Sequence, residues 1–160
     1  MKIGIIGPNS LTEGSLKERK VLIDTVAKII AKSGHEIILT PDKDSLLEYF
    51  GKKYLEFKGK KITIVAPTEE DDYKDYLNTE IGEIHSSKDW DRQADEFVRQ
   101  SDLLLCIGYA WGGMKEIACA KYSDKKKVYL LKEFISTKLP KELNFIINYI
   151  PINEIERILK

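Results

Sequence analysis

Leu103 to Ile107 is an unbroken apolar run, preceded by the polar pair Ser101-Asp102 and closed by Gly108. A short run with no polar alternation reads as a strand buried on both faces, the kind found in parallel sheets covered by helices on each side. A helix follows almost at once: Gly112-Gly113 lets the backbone turn without a Cβ clash, and Ile117, Ala118 and Ala120 supply small or apolar residues for docking it onto the sheet. Parallel neighbours need crossover connections of a dozen or more residues, so this one stretch dictates a rhythm for the rest of the chain.

That rhythm is present. Lys2–Ile6 is a short apolar run ended by the turn formers Gly7-Pro8-Asn9-Ser10. Ser15 and Glu18 have capping-box spacing, and Leu22, Val26, Ile29 and Ile30 then repeat at helical spacing until Ser33-Gly34. Glu36–Thr40 is a second strand; Ser45 and Glu48 form another capping box, opening a helix with Leu47, Phe50, Tyr54 and Phe57 on one side until Gly59. Lys61–Ala66 is the third strand. Lys88–Gln100 reads as a helix with Trp90, Ala94, Phe97 and Val98 inward, Lys127–Leu131 as a further strand and Phe145–Ile150 as another, with Asn153 capping a last helix to Leu159. The expected fold is a three-layer α/β Rossmann-like domain over residues 1–160, a parallel sheet of five to six strands with helices on both faces. Pro67–Ser87 has no clear period and is expected to be a long loop or lid.

The chain's 160 residues suit a single domain, and its 26 acidic and 26 basic residues balance. Nothing in net charge favours nucleic acid or an anionic membrane as a partner. The N-terminal apolar run breaks at Gly7-Pro8, too soon for a signal or membrane segment. Cys106 and Cys119 lack a third Cys or a His at metal-ligand spacing, so reduced core thiols in a cytoplasmic protein, with no metal and no resident cofactor, are expected.

If the strands take the order 3-2-1-4-5, the topological switch lies between the first strand and the Leu103 strand, and ligands of open α/β sheets bind there. The loops Gly7–Ser10 and Gly108–Gly113 would line one crevice, with Glu116 in the first turn of the following helix. Glu116 there either serves a ligand or only offsets the positive end of the helix dipole, an effect worth about 0.3–1 kcal/mol. Tyr109 and Trp111 either stack on a base or ribose, at roughly 1–3 kcal/mol per stacked base, or simply pack at an interface. His35 and His85 have no partner constellation, and no Walker sequence or intact dinucleotide fingerprint is present.

The strand, glycine loop and Glu116 helix resemble the signature of the LOG-type phosphoribohydrolases within the SLOG Rossmann-like superfamily. Their motif is Pro-Gly-Gly-x-Gly-Thr-x-x-Glu; Gly112 and Glu116 match its last glycine and its glutamate, while Gly108, Tyr109, Ala110 and Gly113 stand at the Pro, Gly, Gly and Thr positions. The resemblance implies a nucleotide or ribosyl ligand, a homodimer, and hydrolysis of an N-glycosidic bond in which Glu116 stabilises positive charge on the ribose. It also implies a phosphate-binding glycine turn after the second strand and an arginine paired with the glutamate. At the first place the chain reads Thr40, Pro41, Asp42, Lys43, Asp44, Ser45; Pro41, Asp42 and Ser45 are candidate ligand contacts, but each carboxylate would repel a phosphate by about 1–4 kcal/mol. At the second, a gap-free count falls on Gln93. Arg92, one residue earlier, takes the catalytic arginine's role only if the helix rotates by about 100°.

Two other functions fit the same residues. A nucleoside deoxyribosyltransferase-like enzyme resembles the chain in Gly7-Pro8 and Glu116, and a non-enzymatic sensor of a nucleotide-derived ligand would keep the crevice without the chemistry. The aromatics Tyr73, Tyr76 and Trp90 are the residues that argue for a dimer contact.

Overall fold

A computed structural model describes residues 1–8, 13–123, 127–143 and 146–160, with residues 13–18 described by backbone alone. Seven parallel strands form one sheet: β1 Lys2–Ile6, β2 Glu36–Leu39, β3 Ile62–Ala66, β4 Glu83–Ser86, β5 Leu103–Cys106, β6 Lys127–Leu131 and β7 Ile147–Ile150, in the spatial order β4-β3-β2-β1-β5-β6-β7. The helices are α1 Glu13–Lys32, α2 Leu46–Glu56, a single turn α3 Tyr73–Tyr76, α4 Trp90–Gln100, α5 Trp111–Lys121 and a short α6 Ile155–Ile158.

Alternate residues along each strand divide the core into two layers, as the period of two in a strand requires. Ile3, Ile5, Ile37, Leu39, Leu103 and Leu105 face α1, α2 and α6, while Ile6, Ile38, Leu104 and Cys106 face α4 and α5. The two central strands β1 and β5 pair directly, Ile3 opposite Leu103 and Ile6 opposite Cys106. The crossing point of the chain therefore lies between their carboxyl ends.

The sheet has seven strands rather than five to six because the supposed Pro67–Ser87 loop contains α3 and the edge strand β4. β4 reads Glu-Ile-His-Ser with Ile84 itself 45% exposed, so it lacks the apolar run of an inner strand and carries charge, as edge strands do. Tyr73 packs against the core, and Tyr76 meets Trp90 edge-on at 6.1 Å, so these aromatics are engaged within the chain.

Three caps differ from their sequence reading. α1 begins at Glu13, ahead of Ser15. Ser45 does cap α2, accepting from the Glu48 N–H at 3.1 Å, but Glu48 reaches past it to the Asp44 N–H at 3.0 Å. Asn153 sits inside a 3-10 turn, Ile152–Glu154, and the α6 cap position is Glu154 without a side-chain bond. Phe145, the expected start of the last strand, lies outside the described residues.

Candidate ligand site

The Gly7-Pro8 turn leaves β1 and the Gly108–Ala110 turn leaves β5 on the same edge of the sheet, and the two touch. Gly108 has φ +124°, a conformation that L side chains rarely adopt, and a Cβ placed there would lie 3.3 Å from Pro8 Cδ. Asn9 and Ser10 lie outside the described residues. α5 then starts at Trp111, with Ala110 at the cap position and no side-chain cap, so its first N–H groups remain for water or a ligand.

Gly113 fixes how deep that helix sits. A Cβ at this position would stand 2.7 Å from Cγ2 of the fully buried Ile6. The threonine of the resembled motif has no room here, which is the physical reason for the departure. Gly113→Ala is expected to cost about 1–3 kcal/mol by forcing α5 outward, read as a lowered urea midpoint with an unchanged slope.

Two adjoining hollows meet at Gly112. The polar one, about 100 Å³, is lined by Gly7, Thr40, Asp42, Leu47, Trp90, Gln93, Ala94, Gly113, Lys115 and Glu116 as well. The apolar one, about 740 Å³, is lined by Pro8, Tyr109, Ala110, Trp111, Met114 and Leu139. Trp111 is 94% exposed, an apolar ring held out at the rim.

Glu116 is 7% exposed, and its one hydrogen-bond partner among the described residues is the Thr40 hydroxyl at a long 3.5 Å. Burial, with the nearby Asp42 charge adding to it and the Thr40 hydroxyl opposing, pushes the Glu116 pKa up to about 8. Burial likewise raises Asp42, whose carboxylate has no hydrogen-bond partner among the described residues. Lys115, the one cation among the described residues of this lining, spends a hydrogen bond on the Asp91 carbonyl at 3.1 Å.

The other sequence candidates fall elsewhere. Arg92 is exposed on α4 beside Asp89 at 3.5 Å and is absent from both linings. Gln93 takes its place facing the polar hollow, with its Nε2 donating to Val65 O at 3.0 Å. Pro41 and Ser45 are buried beneath the site: Pro41 O accepts from Asn78 N, and the Ser45 hydroxyl donates to Asp42 O at 2.6 Å. Thr40, Trp90, Ala94, Lys115, Met114 and Leu139 were not read from the sequence as site residues. Of these, only Thr40, at the carboxyl end of β2, carried a positional signal. Cys106 is a buried thiol pushed up to about 12, and no cluster of metal-ligating side chains exists among the described residues.

A family model of the SLOG cluster4 family matches residues 1–155. The chain belongs to that family. Among solved structures, this SLOG cluster4 chain is similar in fold to the molybdenum cofactor binding protein from the phototrophic bacterium Rippkaea orientalis, with TM-score 0.74, 16% identity and coverage of 99% and 97% of the two chains. The molybdenum cofactor carrier protein from Chlamydomonas reinhardtii gives TM-score 0.73 at 16% identity, covering 99% and 94%. TM1055, a structural-genomics target, gives 0.71 at 18% identity, covering 99% and 97%. No curated protein matches the sequence. No helix among the described residues is long and apolar enough to cross a membrane.

Proposed function

We propose that this SLOG cluster4 protein binds a phosphorylated heterocyclic small molecule, nucleotide-like in build, and holds it without cleaving it. The ligand lies across Gly112, its polar edge in the hollow of Asp42 and Glu116 and its apolar face against Tyr109, Trp111 and Met114. The uncapped amino end of α5 supplies N–H groups for an anionic group.

The observation that carries this reading is the burial of Glu116, 7% exposed with the Thr40 hydroxyl as its one hydrogen-bond partner among the described residues. Stabilising an oxocarbenium-like transition state needs an ionised carboxylate at the sugar, and this burial pushes the Glu116 pKa up to about 8. Among the described residues no arginine lines either hollow. Binding and carriage of a cofactor, the roles of the Rippkaea orientalis and Chlamydomonas reinhardtii proteins, support holding over hydrolysis.

The test is a melting experiment with nucleoside monophosphates at about a hundred times their dissociation constants. The expected stabilisation is about 2.7 kcal/mol, a rise of roughly 5–10 °C, with no free base on chromatography after prolonged incubation. Released base would return the protein to the hydrolases. No shift with any of them would remove the ligand.

A further inference from the structure

We propose that Glu116 enters the ligand complex as a neutral acid, so that binding in the crevice is coupled to a proton, which the protein takes up as the ligand seats and loses as the ligand leaves. This rests on the crevice being the ligand site.

Geometry carries the coupling. Glu116 lines the polar hollow of about 100 Å³ and is absent from the lining of the apolar one. A ligand group seated in so small a space displaces the water there, and a carboxyl deprived of water favours its neutral form. An anionic group of the ligand at the uncapped amino end of α5 adds negative charge nearby and pushes the same way. The proton then has a use: the O–H of a neutral Glu116 donates to an acceptor of the ligand, where an ionised one would set lone pair against lone pair.

The groups around the carboxyl oppose its ionisation or stay out of it. From the turn after β2 comes the Asp42 charge, which resists a second negative charge beside it, and the Thr40 hydroxyl, whose long 3.5 Å bond favours the anion. From β5 comes the buried Cys106 thiol, which lies on Gly108 O. Helix α4 presents Trp90, Gln93 and Ala94, none of them charged. On α5 itself stand the half-buried Cys119 thiol and Lys115, whose Nζ lies on Asp91 O and forms an ion pair with neither carboxyl among the described residues. Glu116 is the sixth residue of α5, beyond the first turn over which a helix dipole acts. The balance raises its pKa to about 8 before any ligand arrives.

A group whose pKa rises further on binding takes up a proton above its free value, so affinity is full below that value and falls as pH rises through it. The experiment is calorimetric titration of wild type and Glu116→Gln with adenosine, guanosine, cytidine and uridine 5′-monophosphates, at pH 8 in two buffers of different ionisation heat. The phosphate loses its second proton at about pH 6 and is fully ionised there. Wild type is expected to take up about half a proton per ligand at pH 8 and to lose about tenfold in affinity between pH 7 and 9. Glu116→Gln, folded by its melting curve, is expected to take up none and to hold its affinity within about threefold over that range. A buried carboxyl with a structural role alone would move the melting profile and leave the proton count at zero. If the variant fails to fold, the wild-type proton count and pH profile decide alone. Binding without proton uptake, binding with proton release, or uptake that persists in Glu116→Gln overturns the coupling and leaves the crevice as a ligand site. Binding of none of the four overturns both.

Discussion

Glu116→Gln is expected to melt well above the wild type at pH 9 and level with it at pH 4. The sign follows from where the proton sits. In the unfolded chain Glu116 ionises near 4.5, and in the folded one near 8. Between those values the native state holds a proton that the unfolded state has released, so stability falls as pH rises through that window. The loss reaches about 3–5 kcal/mol once both states are ionised, at about 1.4 kcal/mol per unit of difference. Glutamine keeps the shape and cannot ionise, so this loss disappears from its pH profile. Melting curves from pH 4 to 9 for both proteins read the effect, and parallel profiles would mean that Glu116 is not a buried acid.

Glu48→Ala is expected to cost about 3 kcal/mol and to loosen two segments at once. Glu48 is 7% exposed and accepts from Asn78 Nδ2 at 2.6 Å, from the Asp44 N–H at 3.0 Å and from Lys52 Nζ at 3.0 Å. Burial pushes its pKa up, but these hydrogen bonds outweigh burial and leave the carboxylate below its usual range. The bonds tie the 40–45 turn that carries Asp42 to the 76–78 segment, where Lys43 N and Asn78 N also pair with Tyr76 O and Pro41 O. Removing the carboxylate leaves Asn78 and the Asp44 N–H unpaired, and hydrogen bonds to a charge are worth about 1.5–3 kcal/mol each. Urea unfolding reads the stability, and amide exchange at Lys43, Asp44 and Asn78 reads the loosening. A change within about 0.5 kcal/mol, with exchange unaltered, would show that main-chain pairing alone holds the turn. The pH sign is opposite to that of Glu116: the contribution of Glu48 is lost as pH falls through its lowered folded value.

The central strands were legible because each is buried on both faces and so carries a pure apolar run, as in Ile3 to Ile6 and Leu103 to Ile107. The edge strand Glu83–Ser86 was not, since an exposed strand needs no apolar signature and its pairing with β3 is made by backbone. The crevice was legible from topology, because the switch point follows from strand order rather than from any motif. Asp42 and Glu116 of its polar lining were named from the sequence, but the contribution of α4 was not. Gln93 and Trp90 come from α4, whose rotation about its own axis depends on how Phe97 and Val98 seat in the core, and one residue of error exchanges Gln93 for Arg92. The burial of Glu116 likewise depends on Gly113 letting α5 approach Ile6, a contact between residues far apart in the chain.

Backbone amide shifts on titration with nucleoside monophosphates at neutral pH test the location of the ligand most directly. The expected result is a set of saturable changes at Gly7, Thr40, Asp42, Gln93, Gly112 and Glu116, with the far edge of the sheet around Lys2 and Lys61 unmoved. Changes confined to surfaces away from the carboxyl ends of β1, β2 and β5, or none at millimolar ligand, would contradict the crevice as the binding site.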